Sequence, residues 1–416
     1  MTRLRKIVYP IESLYPGGAE HALLRLASSL DRSRFAPEVW LLRGGGELAA
    51  DFAAQGIAVR DCSHWDWNPL TPVVKATAFR AAVRLAASRV QIVHSFAWDG
   101  CGTEAAAAML AATPCYVARI ATAIPKGNAE AWAFKLRLAD RVVVLSQFSR
   151  GQIVSLYPWV EAKLRVVPNG VDCNRFAPDP AGRAATRQAL GLDATDVLFT
   201  CVARLNPDKN HAFLLRAFQQ LLAAGKTARL LLLGTGGQDR RLADLAAQLG
   251  IAERVCFLGY RRDVAQILAA SDAFVLTSKA TGDGGIEGMS NAALEAMSAG
   301  LPVVMTRNGS EEILSSGHEG LVVDPRDDGE LVAAMIALCD SAEVRQNMGR
   351  AARVRVQAHY SLATTIAKNK EIYEELLAQS LGRRLARVQR GFSQWPRPMV
   401  ANNETPTAAS RLNALP

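Results

Sequence analysis

Residues 6–30 read KIVYPIESLYPGGAEHALLRLASSL, and their pattern changes twice. Residues 6–11 form a short apolar run, Tyr15-Pro16-Gly17-Gly18 is turn chemistry, and residues 19–30 repeat apolar side chains at helical spacing. The spacing predicts strand, glycine loop, helix. Strand-like runs return at residues 38–42, 90–96, 115–121, 141–145 and 165–167, separated by Ala-rich helical stretches. Such alternation implies right-handed βαβ units and a parallel sheet. Residues 168–194 then lapse into Pro, Gly, Asn and Asp, as in Pro168-Asn169-Gly170 and Pro178-Asp179-Pro180, which reads as an interdomain linker. A second strand series follows at 197–203, 228–233, 255–258, 273–277, 303–306 and 321–323. The expected fold class is therefore α/β, with two domains of similar size. Helices over about 328–379 close the fold, and the chain from 380 on turns basic, then Pro- and Asn-rich, as a disordered tail does.

Composition agrees. A chain of 416 residues with 50% apolar and 21% charged residues suits a folded protein of two or three domains, at roughly 100 to 200 residues each. Aromatics are only 6%, which favours Ala-rich helices on a sheet over a β-sandwich. The longest near-apolar run, 105–118, is broken by Thr113-Pro114 and falls short of the roughly 18 to 20 residues of a membrane span. The basic start, Arg3, Arg5 and Lys6, precedes only residues 7–11 before Glu12, too short for a secretory signal core. Seven scattered cysteines, with no CxxC and no Cys/His pairing at zinc spacing, predict no metal and reduced thiols in a cytoplasmic setting. The net charge of +9 divides as +7 over residues 1–178, −3 over 179–380 and +5 over 381–416. That asymmetry fits either a merely soluble basic surface or an anionic partner for the first half: a phosphorylated acceptor, a membrane surface or nucleic acid. Nucleic acid is the least favoured, because the basic residues lack interleaved aromatics or a recognised motif.

Ligands of open parallel sheets bind outside the carboxyl ends of the strands, so the loops there are the candidates. In Pro16-Gly17-Gly18-Ala19-Glu20 the glycines either make a tight turn or let backbone N–H groups approach a phosphate at a helix start. In the segment 203–209, ARLNPDK, Arg204 and Lys209 are either ordinary surface cations or a fork and a point charge that neutralise a diphosphate without a metal. Leu233-Gly234-Thr235-Gly236-Gly237 fails the GxGxxG pattern at Asp239 but still bounds a nucleotide pocket. Segment 281–295, TGDGGIEGMSNAALE, leads a glycine-rich loop to Glu287, after which Ser290 or Asn291 caps a helix carrying Glu295 one turn in. The exposed N–H groups of Gly288, Met289, Ser290 and Asn291 suit phosphate or sugar oxygens, and Glu295 suits two ribose hydroxyls; a plain capping arrangement is the alternative. His94, at a strand end, reads as a structural histidine or one that reaches the cleft on the acceptor side.

The E-x7-E pair Glu287/Glu295, followed by Ala296-Met297-Ser298-Ala299-Gly300-Leu301-Pro302, resembles the nucleotide-sugar site of retaining GT-B glycosyltransferases of the glycogen-synthase and mannosyltransferase type (family 4-like, group 1). Gly17-Gly18-Ala19-Glu20, Pro168-Asn169-Gly170-Val171-Asp172, Arg204 with Lys209, and Gly259-Tyr260-Arg261-Arg262-Asp263 occur in that family's order. The resemblance spans nearly the whole chain. It implies an acceptor-binding Rossmann-like domain over 1–175 and a nucleotide-sugar-binding one over 176–360. It also implies a closing helix over 361–380 returning to the first domain, and a tail over 381–416. It further implies Arg204 and Lys209 on the diphosphate, Glu295 on the ribose, Glu287 on the transferred sugar, and Gly234 and Tyr260 beside the nucleotide. Transfer would be a metal-independent, retaining hexosyl transfer, with a nucleoside-diphosphate sugar as co-substrate and no other cofactor. The acceptor would be a cell-surface polysaccharide, such as lipopolysaccharide or exopolysaccharide, or a lipid-linked saccharide. Lys75, Arg80 and Arg84 on an otherwise apolar helix extend this to peripheral association with the anionic inner face of the plasma membrane. Two positions depart from the family: no histidine follows the strand ending at Ile120-Ala121-Thr122-Ala123, and Gly288-Met289-Ser290 replaces Gly-Phe-Gly. A catalytically silent nucleotide-sugar-binding scaffold, or an epimerase or hydrolase on the same architecture, remains the alternative reading.

Overall fold

The computed structural model describes residues 4–64, 74–97, 102–121, 129–193, 195–279 and 288–379. The apolar runs form two all-parallel sheets. The first comprises β1 (Arg5–Ile11), β2 (Phe35–Leu41), β3 (Ala58–Asp61), β4 (Ile92–Ser95), β5 (Cys115–Ile120), β6 (Arg141–Val144) and β7 (Leu164–Val166), in the order β3-β2-β1-β4-β5-β6-β7. The second comprises β8 (Val197–Val202), β9 (Ala228–Leu233), β10 (Val255–Gly259), β11 (Ala273–Leu276), β12 (Val303–Thr306) and β13 (Gly320–Val323), in the order β10-β9-β8-β11-β12-β13. Both orders reverse direction beside their own first strand, between β1 and β4 and between β8 and β11. Those reversal points open the crevices where ligands of such sheets sit.

Both faces of the sheets are covered, which is why the strands read as continuous apolar runs rather than alternating ones. On β1, Ile7, Tyr9 and Ile11 pack with Leu23 and Leu26 of the helix Gly18–Ser28, while Val8 faces Ala78, Ala81 and Leu85 of the helix Val74–Ala87. The periodicity above does not contain β3. Its residues, Ala-Val-Arg-Asp, are exposed or half-buried at the sheet edge, so no apolar signal marks them.

The segment 168–194 is not linker throughout. Pro180–Ala189 is helical, with Pro180 in its first turn and the Asp179 carboxylate accepting the Gly182 N–H at 2.9 Å. Buried Arg187 ties it to the second domain through the Asp193 and Asp196 carbonyls, each at 2.6 Å. The chain passes between the domains twice, and the two passages lie side by side: Val171 N–H donates to Tyr360 O (2.9 Å) and Leu362 N–H to Val171 O (2.8 Å). Gly170 permits this approach, since a Cβ there would come 2.7 Å from Leu362 Cα. The last helix, Leu362–Ala378, then packs against the first domain, with Ile372, Tyr373 and Leu376 in the core that holds β1 and Arg34 bonded to Glu374 at 2.7 Å. The tail from 380 lies outside the described residues.

Two buried histidines give the fold a pH dependence. His94 is 1% exposed and bonds Tyr373 Oη through Nδ1 at 2.6 Å, and burial, aided by Arg119, holds its pKa down to about 3. His211 is fully buried beside Cys201, and burial, aided by Lys209, lowers it to about 4. In the unfolded chain both take up protons near pH 6.5; in the fold they stay neutral. Stability is therefore fully held above pH 6.5 and falls as the pH drops toward 4, by about 1.4 kcal/mol per pH unit per histidine. Urea unfolding of His94→Gln at pH 7 and pH 5 should show a smaller loss than wild type; equal losses would refute the assignment.

Candidate active site

The site is assembled from strand-end loops of both sheets. After β1, Gly17 caps the helix Gly18–Ser28 and Glu20 lies in its first turn. A Cβ at Gly17 would come 2.4 Å from Glu20 Oε2, so the carboxylate folds back over the helix start into space that glycine leaves open. Burial pushes the Glu20 carboxyl up, while Arg204 and Arg119 oppose the shift. Arg204 of the second domain is thus close enough to Glu20 of the first to bias its charge.

After β8, exposed Arg204 opens a loop that ends in the short turn Pro207–Lys209. Asn210 follows in the left-handed region, φ 53°, and begins the helix His211–Ala223. Thr277 Oγ1 donates to Lys209 O at 3.1 Å and Lys279 N–H to Asp208 O at 2.9 Å, which fastens this loop to the end of β11 across the reversal point. Lys209 Nζ lies 3.3 Å from Asp208 Oδ2. The neighbouring strand ends complete the rim. Gly234 has φ 130° and a Cβ there would sit 2.1 Å from Ala203 O, so only glycine lets the β9 loop press on the β8 loop. Tyr260, at the end of β10, is exposed.

In the fourth loop Ser290 caps the helix Asn291–Ser298, accepting the Ala293 N–H at 3.2 Å. This helix meets the first domain directly. Asn291 Nδ2 donates to Gly18 O at 2.7 Å, Arg25 Nη1 bonds Glu295 Oε1 at 2.8 Å, and a Cβ on Gly288 would come 2.0 Å from Ala121 O. The structure therefore brings Gly17, Gly18, Ser290, Asn291 and Glu295 together, with Arg204 within electrostatic reach of Glu20 beside them. Glu287 and the loop 280–286 lie outside the described residues.

The structure decides between the two readings of His94. His94 does not reach the cleft: it is packed under the sheet among Tyr9, Phe96 and Tyr373, because β4 and the last helix close over it. The Met289 side chain packs in the core with Leu145 and Leu294, which leaves for a ligand its backbone N–H, the group the sequence offers. The sequence reading also passed over Arg25 and Arg119. Arg119 is 6% exposed, bonds Asn169 Oδ1 at 2.7 Å and stacks on Phe96 at 4.5 Å, and burial lowers its pKa to about 10. An arginine inside a strand of otherwise apolar residues was the available signal. Among the described residues no group of three His, Cys, Asp or Glu gathers as metal ligands.

Residues 16–175 match the family described as Glycosyltransferase Family 4, and residues 182–355 match Glycosyl transferases group 1. The chain belongs to the GT-B glycosyltransferases. It is 35% identical over 199 residues to a GDP-mannose-dependent monoacylated alpha-(1-6)-phosphatidylinositol monomannoside mannosyltransferase of Corynebacterium glutamicum, covering 47% of this chain and 52% of that one. Over 219 residues it is 28% identical to a UDP-Gal:alpha-D-GlcNAc-diphosphoundecaprenol alpha-1,3-galactosyltransferase of Escherichia coli, covering 52% and 55%. The chain thus spans about half the length of these curated relatives. The crystal structure of Anabaena HepE in complex with UDP and glucose superposes with a TM-score of 0.77 at 23% identity, over 89% of this chain and 100% of that one, and shares the fold.

Proposed function

We propose that this GT-B protein moves a hexose from a nucleoside-diphosphate sugar to a lipid-linked saccharide or polysaccharide acceptor, with retention of anomeric configuration. The observation that supports this most is the meeting of Gly18 with Asn291, beside Glu295 and opposite Arg204, at the reversal points of two facing sheets. In this reading Glu295 accepts ribose hydroxyls, Arg204 and Lys209 hold the diphosphate, and Glu287 holds the transferred sugar. The bond from the anomeric carbon to the diphosphate oxygen breaks as the acceptor oxygen bonds the same face. The acceptor proton passes to the departing phosphate. Arg204 and Lys209 supply the charge the leaving group needs, so the reading assigns no metal and no covalent nucleophile. In this reading the chain draws its acceptor from a membrane, like the two curated relatives described above, whose names carry lipid-borne acceptors, and unlike others named for D-inositol 3-phosphate.

The test is a thermal-shift panel of UDP, GDP, ADP and their common sugar conjugates, with Glu295→Ala beside wild type. One nucleotide class should raise the melting temperature and the variant should lose the rise. No response from folded wild type would favour the silent-scaffold reading, and sugar nucleotide consumed without an acceptor would favour the epimerase or hydrolase.

A second observation bears on location. On the helix Val74–Ala87, Phe79 is 64% and Val83 54% exposed, one turn apart and next to exposed Arg80. Among the described residues no helix is long and apolar enough to cross a membrane. We place this face against the anionic inner surface of the plasma membrane, where each cation contributes about 1 kcal/mol. Wild type should float with anionic liposomes and Phe79→Ser/Arg80→Glu should not; a wild type that stays at the bottom refutes it.

A further inference from the structure

The helix Gly18–Ser28 belongs to the first domain, yet one side of it touches the helix Asn291–Ser298 of the second. Gly18 and Arg25 lie two turns apart on one side of that helix, and Asn291 and Glu295 lie one turn apart on the facing one. The pairs meet in register: Asn291 Nδ2 to Gly18 O at 2.7 Å, Arg25 Nη1 to Glu295 Oε1 at 2.8 Å. The ion pair is sheltered, with 17% of the Arg25 and 14% of the Glu295 side chain exposed. Arg25 Nε is buried with no partner, so the guanidinium meets its counter-charge through Nη1, at Glu295.

We infer that Arg25 is a positioning residue of the donor site, holding the Glu295 carboxylate in the orientation that reads the ribose of a nucleoside diphosphate. This rests on the assignment of Glu295 proposed above. An ionised carboxylate has about four lone-pair sites on two oxygens. Arg25 occupies one on Oε1, which leaves Oε2 and a second site on Oε1 for the vicinal hydroxyls. The arginine therefore does not displace the sugar. It restricts a flexible side chain to one rotamer and shields its charge from bulk water, both of which strengthen the remaining bonds. Ribose selectivity then depends on the two domains being closed on one another, which couples donor recognition to assembly of the cleft.

The experiment compares the dissociation constants of UDP, GDP and ADP with those of their 2′-deoxy and 3′-deoxy forms. It uses the full chain as wild type, Arg25→Met, Arg25→Lys, Glu295→Gln and the Arg25→Met/Glu295→Gln double variant, each checked for cooperative unfolding. Wild type should prefer the ribose form of its nucleotide by about 10-fold or more. Arg25→Met should cut that preference to within about 3-fold of the Glu295→Gln value, Arg25→Lys should restore part of it, and the double variant should be no worse than Glu295→Gln. If Glu295→Gln abolishes the preference while Arg25→Met leaves it intact, or weakens ribose and deoxyribose forms alike, Arg25 is only an interdomain strut and the inference fails. If Glu295→Gln itself leaves the preference unchanged, or no nucleotide binds, the donor-site assignment fails and takes the inference with it. Should Arg25→Met not fold, Arg25→Lys decides by the same comparison.

Discussion

On the proposed mechanism Arg204→Ala and Lys209→Ala should each lower turnover by about 100-fold or more at saturating donor, because each would remove a cation assigned to the charge that grows on the leaving group. The two side chains sit differently. Arg204 is exposed at the lip of the β8 loop, with electrostatic reach to Glu20, whereas Lys209 has 13% of its side chain exposed in a turn pinned to the end of β11. A charge held in a braced turn costs little reorganisation when the diphosphate departs. Lys209→Ala should therefore act mainly on kcat. Arg204→Lys keeps the charge but loses the planar fork, so it should recover only part of the Arg204→Ala loss. Steady-state kinetics with the nucleotide identified by the thermal-shift panel measures all three. Near-wild-type turnover in both alanine variants would remove these residues from the diphosphate site.

Gly288→Ala should be as damaging for a different reason. A Cβ at this position would come 2.0 Å from Ala121 O and 2.9 Å from Ala121 C, and both are backbone atoms of the first domain just past β5. Neither can rotate away. One methyl group must therefore push the two strand-end loops apart by an ångström or so, a displacement that costs about 100-fold in a reaction dependent on alignment. Nucleotide binding by the second domain should survive more than turnover does. Gly151→Ala is the control, since a Cβ there, on the helix Gln147–Leu156, meets nothing within 4 Å. Wild-type turnover in Gly288→Ala would show that the loops are not held together in the working enzyme.

The strands and the glycine loops were legible because their causes are local. An apolar run buried on both sheet faces, a Pro-Gly-Gly turn and a Ser cap three residues before the N–H it accepts all act within a few positions. β9 and β12 coincide with the runs read from composition, and the other strands differ by a few residues at their ends. β3 was lost because an edge strand of Ala-Val-Arg-Asp buries too little to carry an apolar pattern. The helix Pro180–Ala189 is hidden in the sequence because Pro and Gly read as breakers, although Asp179 and Pro180 form a proper helix start.

The amino-acid order alone accounts for two α/β domains, the loops after β1, β8 and β9, and the cations and carboxylates placed on them, since these follow from periodicity and turn chemistry over short spans. Which of those residues face one another was decided only when the domains closed. Glu295 meets Arg25 across 270 positions, Gly288 lies against Ala121, and His94 is sealed away by a helix that begins at residue 362. Contacts of that separation leave no mark in local pattern, because they are fixed by the packing of whole sheets and by the two chain passages that meet at Val171 and Tyr360.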